Sequence, residues 1–246
     1  KGNIALTATG EEFYVMPDEE RKQLGLRSLV TVPMPQLPEP AGDGLEIDNL
    51  TFAYRHGNTV LNIGHLLFPA GKITALLGPC GSGKSTLARI ICGLEKAKGA
   101  SITLNGQKFT SRDAYLVMQD PTRQLFSDTV IDEVTLGATR VEKQHIDAHA
   151  ILKELDLTDH ESDHPQALSG GQRQRLVIVT ALAANKKVYI FDEPTSGVGY
   201  KHLVAISQVM RKLADTGAVV IVITHDAELV TEAADHSVRL DQINAC

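Results

Sequence analysis

Apolar positions recur along this chain in two rhythms. Ile73-Thr74-Ala75-Leu76-Leu77 is a short apolar run, and after the stretch Gly78-Pro79-Cys80-Gly81-Ser82-Gly83-Lys84-Ser85-Thr86 come Leu87, Ile90, Ile91 and Leu94 at helical spacing. That order predicts a strand, a glycine-rich loop and a helix. Val188-Tyr189-Ile190-Phe191 and Val219-Val220-Ile221-Val222-Ile223-Thr224 are runs of the same kind, with a helical pattern over residues 200–214 between them. Such runs suit strands buried on both faces of a parallel sheet. Residues 45–54 alternate apolar with polar instead, as a half-buried strand does, and a polar turn at 55–58 leads to a second run from Val60.

Residues 101–104 and 114–118 predict two more strands, the second ending at Gln119, and Ser237 to Leu240 a last one after His236. From 127 to 164 the pattern turns helical, through Val130, Val134 and Gly137 and then Ile146, Ile151, Leu152 and Leu155, until Pro165 breaks it. Leu168-Ser169-Gly170-Gly171-Gln172 then opens a helix over 173–184, carried by Leu176, Val179 and Leu182.

The first 44 residues follow neither rhythm for long. Gly2-Asn3-Ile4 and Gly10 with Phe13 predict a short hairpin, residues 18–26 a helix, and residues 32–40, with four prolines in nine, a stiffened linker. The alternative is a frayed extension.

Composition changes this picture little. At 246 residues, 43% hydrophobic and 22% charged, the chain is an ordinary globular one with room for a large α/β domain. A net charge of −6 weighs against a nucleic-acid surface, though a local basic strip would be compatible with it. Cys80, Cys92 and Cys246 lack metal-ligand spacing, which fits a reducing compartment better than a disulfide framework. No apolar run approaches the roughly 18 to 20 residues of a membrane span, so work at a membrane would need another subunit. Because the sequence opens on Lys1, it is expected to be part of a longer polypeptide.

The chemistry concentrates at the ends of the apolar runs. Gly78, Gly81 and Gly83 let a loop turn its N–H groups inward at a helix N-terminus, Ser82 and Thr86 complete that cradle, Lys84 supplies a full charge to outer phosphates, and the Ser85 hydroxyl can ligate magnesium. The fixed positions of this pattern recur by chance in roughly one chain in a hundred of this length, so the bland glycine turn is the weaker reading. Asp192 and Glu193 end another buried run, where open α/β sheets bind ligands. In that position Asp192 would hold magnesium through water and Glu193 would orient or deprotonate an attacking water, whereas an isolated Asp-Glu pair is usually a solvated strand end. His225 closes the run that begins at Val219 and can donate to a terminal phosphate. Ser169, Gly170, Gly171 and Gln172 make a second anion-binding helix start or merely a capped one. Tyr54 could stack on an adenine or pack on its own sheet.

These residues together resemble the nucleotide-binding domain of an ATP-binding cassette (ABC) protein: aromatic Tyr54, the Walker A loop at 78–86, the Q-loop Gln119, the signature at 168–172, Walker B ending at Asp192 and Glu193, and the switch His225. The resemblance spans about residues 45–240. It implies an α/β P-loop NTPase core, a mostly parallel sheet flanked by helices, with an antiparallel β subdomain and a helical subdomain over about 120–184. It implies ATP and Mg2+ as cofactors, with Ser85, Gln119 and Asp192 toward the metal and Glu193, His225 and Gln119 toward catalysis. It implies as partners a second cassette, joined head to tail so that each signature closes on the other's phosphate loop, and an integral membrane subunit, at the cytoplasmic face of the membrane.

Residues 119–130 are more narrowly similar to the segment after the Q-loop in energy-coupling factor importers of vitamins and metal ions, as are Thr195-Ser196-Gly197 and Tyr200-Lys201-His202. Leu125 and Phe126, apolar residues in an otherwise polar loop, are expected to contact the membrane partner. Residues 1–30 look like the close of a preceding cassette, so 1–44 would be its tail plus a linker and 45–246 a cassette of a tandem protein. Gly199 departs from the family pattern, which has an aspartate there that helps link the two nucleotide sites. Two other classes stay open: a soluble tandem cassette acting on ribosomes or DNA, which usually carries a charged linker or coiled coil, and a regulatory cassette with weak hydrolysis.

Overall fold

A computed structural model describes residues 6–7, 9–55, 57–138, 143 and 145–244. Two short helices come first, α1 (Gly10–Val15) and α2 (Asp18–Gln23). The hairpin expected at Gly10 and Phe13 is not formed there. Thr9 and Glu12 cap each other, Thr9 N donating to Glu12 Oε2 at 2.7 Å and Glu12 N to Thr9 Oγ1 at 3.2 Å, which closes a helical turn instead. Gly2, Asn3 and Ile4 lie outside the described residues. Residues 32–40 run extended, as their prolines dictate, but not as a free spacer. Leu37 packs on the core and Pro38 O accepts from Ser237 N at 3.4 Å.

The chain continues through β1 (Gly44–Ala53), β2 (Thr59–Pro69), β3 (Ile73–Leu77), α3 (Lys84–Ile91), β4 (Ser101–Leu104), β5 (Gln107–Lys108) and β6 (Ala114–Val117). Then follow α4 (Val130–Val134), α5 (Ala148–Lys153), α6 (Gly170–Thr180) and β7 (Val188–Asp192). The last elements are α7 (Tyr200–Asp215), β8 (Val219–Ile223), α8 (Ala227–Ala233), β9 (His236–Arg239) and α9 (Leu240–Ile243).

The strands form two sheets. One is antiparallel, in the order β2-β1-β4-β5, and the other runs β6-β7-β8-β3-β9 with every pair parallel. The alternation that marked β1 changes phase at Asn49: Leu45 and Ile47 are buried before it, Leu50 and Phe52 after it. Asn49 takes a left-handed φ of 52°. Its partner strand shifts at the same level, from Leu66 and Phe68 to Ile63 and Leu61, so one apolar face stays continuous.

The apolar runs of the parallel sheet are buried on both faces because each face has its own cover. Ile73, Ala75, Tyr189, Phe191, Val220 and Val222 pack with α6, α7 and α8, while Leu76, Val188, Ile190, Val219 and Ile221 pack with β1, β2 and α3. Each fully buried Leu, Ile or Phe contributes roughly 1.5–3 kcal/mol. Since the strands are parallel, the C-terminal ends of β6, β7, β8 and β3 line up along one edge, bringing Gln119, Asp192 with Glu193, His225 and Gly78 to the same side of the molecule.

Candidate nucleotide site

The loop between β3 and α3 owes its shape to two glycines. Gly83 adopts φ 95° as the N-cap of α3, and a Cβ there would fall 2.6 Å from Leu61 Cδ2. Gly78 adopts φ 143°, and its Cβ would fall 2.9 Å from Ser82 Oγ. Only glycine fits either position. Ser82 Oγ is buried without a hydrogen-bond partner, an orphan polar atom at the centre of the cradle. Lys84 folds back over the loop, donating to Gly78 O at 2.7 Å and Pro79 O at 2.8 Å. Its ammonium is thus held where phosphate oxygens could replace two carbonyls.

Asp192 faces this loop at Ser85, whose hydroxyl acts to lower the pKa of the carboxylate. Burial pushes the Asp192 carboxyl above its ordinary range and neighbouring Glu193 adds to the rise, while Ser85 and Lys84 oppose it. A half-buried carboxylate with too little positive charge around it suits a cation. Among the described residues no group of three His, Cys, Asp or Glu side chains converges. A magnesium ion here would therefore take Ser85 and Asp192 and fill its shell with water and phosphate oxygens, which is its usual preference.

Glu193 is the strained residue of the site. Among the described residues the other non-glycine positions with positive φ are Asn49, Asn105, Asp156 and Asn185, types that tolerate it, whereas Glu193 holds φ 50°. Such a conformation costs on the order of 1–3 kcal/mol and persists only when its surroundings fix it. Here Glu193 N donates to Ile223 O at 2.9 Å, Thr224 Oγ1 donates to Glu193 Oε2 at 3.2 Å, and His225 Nδ1 lies 2.8 Å from Glu193 Oε1. A carboxylate only accepts, so Nδ1 carries the proton in this arrangement and Nε2 is left as an acceptor. For His225 to donate to a phosphate from Nε2, the ring must gain a second proton or release Glu193.

Tyr54 lies at the mouth of the loop. Its ring packs edge-on against Phe52 at 4.9 Å, as the duller expectation had it, while its hydroxyl is 3.0 Å from Thr86 Oγ1. Together with Gly81 and Ser82 it lines a cleft. Gln119 is exposed beyond the end of β6. The residue that fixes this stretch is one the pattern did not single out: Gln124 donates to Leu116 O at 2.5 Å and accepts from Met118 N at 2.6 Å, pairing with edge strand β6 as a further strand would. Buried Glu133 likewise accepts from Phe126 N and Ser127 N at 2.8 and 2.7 Å. The expectation that Leu125 and Phe126 both face outward is corrected for Leu125, which is buried in the core, whereas Phe126 is 74% exposed.

The signature residues stand apart. Ser169 is the N-cap of α6 and forms a reciprocal box with Gln172, whose Nε2 also lies 2.6 Å from His160 Nε2. Within this chain the segment is a capped helix start. Gly170 and Gly171 are open: a Cβ at Gly170 would meet nothing within 4 Å. Among the described residues no hydrogen bond or ion pair joins 168–172 to the phosphate loop.

Comparison with known proteins agrees with this geometry. A family model described as ABC transporter matches residues 61–196, more than half of the 246. An ABC transporter ATP-binding protein of Treponema denticola is 34% identical over 243 residues, 93% of this chain and 49% of that protein. One of Bacillus thuringiensis is 38% identical over 209 residues, 80% of this chain and 37% of that protein. The chain thus spans about half or less of the length of these relatives. Among solved structures, an ATP-binding subunit of an ABC transporter superposes with a TM-score of 0.69 at 25% identity, covering 80% of this chain and 85% of its own. CbiO1 of Clostridium perfringens, part of the ABC transporter complex CbiONQ, gives 0.66 at 28% identity with the same coverages. With the loop, the paired carboxylates and the histidine on one sheet edge, and a matched segment running from β2 past Glu193, the chain belongs to the ABC transporter ATP-binding family, whose P-loop ATPase fold it has.

Proposed function

We propose that this chain binds Mg-ATP between its phosphate loop and the signature of a second cassette, hydrolyses it, and passes the resulting motion to a membrane component that imports a small solute, a vitamin or a metal ion. The observation that supports turnover most directly is Glu193, held in a strained conformation between Thr224 and His225 at the edge where the phosphate loop ends. Its carboxylate would orient a water in line with the γ-phosphorus and take its proton as the bond to the β–γ bridging oxygen breaks. Lys84 and the loop N–H groups stabilise the charge spreading over the phosphate oxygens. Magnesium, when bound, adds further charge neutralisation there, and Ser85 and Asp192 are the residues placed to hold it. Tyr54 would carry the adenine, and Gln119 would sense the occupied site.

The similarity of residues 119–130 to the segment after the Q-loop of energy-coupling factor importers is what supports the importer class. No helix among the described residues is long and apolar enough to cross a membrane, so in this reading a separate subunit does so and the chain sits at its cytoplasmic face. Exposed Phe126 beside a fixed loop is the contact we assign to that subunit. Residues 1–44 would be the tail and linker of a preceding cassette, and residues 120–184 the helical subdomain that moves. Phe126→Ser should release the protein from membrane fractions while ATP binding is retained, as read by fractionation and by nucleotide titration. Undiminished membrane association in that variant would remove Phe126 from the interface.

A further inference from the structure

We propose that residues 18–30 form a brace on the catalytic edge, in which Arg27 is a positioning residue for Glu193 and His225. The inference rests on the reading of Glu193 as the carboxylate of ATP hydrolysis.

The segment is built as a rigid piece. α2 ends in a Schellman turn: Leu26 N donates to Arg21 O and Gly25 N to Lys22 O, both at 2.9 Å, with Gly25 at φ 75°. Arg21, 3% exposed, fastens the turn from below, with Nε on Arg27 O at 3.1 Å and Nη1 on Phe13 O at 2.9 Å. The turn aims the Gly25 carbonyl at the start of α7, where Tyr200 N donates to it at 2.9 Å. Gly199 is the N-cap of α7, and a Cβ on it would lie 2.9 Å from Gly25 O. Glycine at 199 and the carbonyl of Gly25 are therefore two parts of one contact.

Next along the chain, the Arg27 guanidinium hydrogen-bonds one carboxylate and stands in ion-pair range of a second. Nη2 bonds Asp226 Oδ2 and Nη1 lies 3.0 Å from Glu228 Oε2, while Ser28 N donates to Glu228 Oε1 at 3.2 Å. The Asp226 and Glu228 side chains are only 14% and 11% exposed, so these are not solvated surface pairs. From Asp226 a continuous series of hydrogen bonds reaches the catalytic carboxylate. Thr195 Oγ1 donates to Asp226 Oδ2 at 2.6 Å, Asp226 N donates to Thr224 Oγ1 at 3.0 Å, and Thr224 Oγ1 donates to Glu193 Oε2 at 3.2 Å. Burial alone would push the Asp226 carboxyl up, but the Thr195 hydroxyl and Arg27 hold it below the ordinary carboxylate range. Arg27 and Ser28 also line the same cleft as Glu193 and His225. Without Arg27 the buried Asp226, on which Thr195 and the His225 loop meet, loses its counter-charge.

The test is steady-state ATP turnover and nucleotide binding by the full polypeptide. Arg27→Ala should lower kcat about tenfold with KM and Kd for ATP changed less than twofold, because misplacing the carboxylate costs the transition state and not the ground state. Arg27→Lys, which keeps the charge, should recover part of that loss. Gly199→Ala pushes on Gly25 O from the other side and should reproduce the kcat effect without touching a charge, which keeps the test valid if Arg27→Ala does not fold. A kcat within twofold of the parent in these variants overturns the brace, as does a loss of ATP binding equal to the loss of turnover. Glu193→Gln measured alongside separates the two readings: if it turns over normally, the assignment of Glu193 falls and the brace with it. If it is inactive while Arg27→Ala is not, only the brace falls.

Discussion

The phosphate loop and the signature segment are both glycine-bearing starts of helices, yet they are finished differently. At the loop, Lys84 is held by its own loop carbonyls, Asp192 feels Ser85, Lys84 and Glu193, Glu193 is held by Thr224 and His225, and the two glycines with tight surroundings fit against Leu61 and Ser82 of the same chain. At the signature, Ser169 and Gln172 satisfy only each other and His160, and Gly170 has no neighbour to explain it. One region carries its chemistry complete, while the other offers bare backbone for something to approach.

The largest effect should come from the complete region. Glu193→Gln should cut turnover by about 10²- to 10⁴-fold while leaving ATP affinity in place, checked by phosphate release and equilibrium binding. Equal loss of both would give the carboxylate a binding role. Lys84→Ala should act on binding itself, weakening ATP by about 10- to 100-fold for the loss of charge-assisted hydrogen bonds. Little change in fold is expected, since the Lys84 bonds run to carbonyls of its own loop.

On the open side, Gly170→Ala should leave the thermal midpoint within about 2 °C of the parent, because the added Cβ has nothing within 4 Å. Turnover by the paired cassettes should nonetheless fall about tenfold or more. A variant that is stable and fully active would dissolve the contrast between the two regions.

The smallest effect concerns stability. The raised pKa of Asp192 means that its favourable contribution to folding is present below the unfolded carboxylate value and lost as pH rises through the folded one. At neutral pH the ionised side chain is a burden on the nucleotide-free protein. Asp192→Asn removes the buried charge and should leave stability unchanged or raise it slightly, measured by denaturant unfolding. Stability lost in that variant would show the charge to be compensated.

Most of the fold could be read in the sequence, and the reasons are local. Runs such as residues 219–223 are apolar on every position, which only a strand covered on both faces tolerates, and the glycines at 78 and 83 announce backbone that no other residue could adopt. Where the pattern misled, a local cap or a tertiary contact had overruled it. Gly10 and Phe13 suggested a hairpin, but the Thr9–Glu12 box made a helix. Leu125 and Phe126 are adjacent and both apolar, and only the position of Glu133, which ties down Phe126 N, decides which one turns into the core.

Gly199 illustrates the same division. In the sequence it was a missing aspartate, a departure within one loop. In the folded chain it is the space occupied by the carbonyl of Gly25, so Gly199→Asp, which the sequence alone would commend as a repair, now drives a side chain into backbone.

The sequence by itself determined which residues can bind phosphate, hold a cation and take a proton, because those capacities belong to side-chain chemistry and to short-range backbone geometry. The tertiary structure alone decided that Glu193 is held by Thr224 and His225 from the next strand, and that Asp226 answers to Arg27 from 199 positions away. Those contacts depend on strand order and on where a distant segment docks. No spacing along the chain encodes either one.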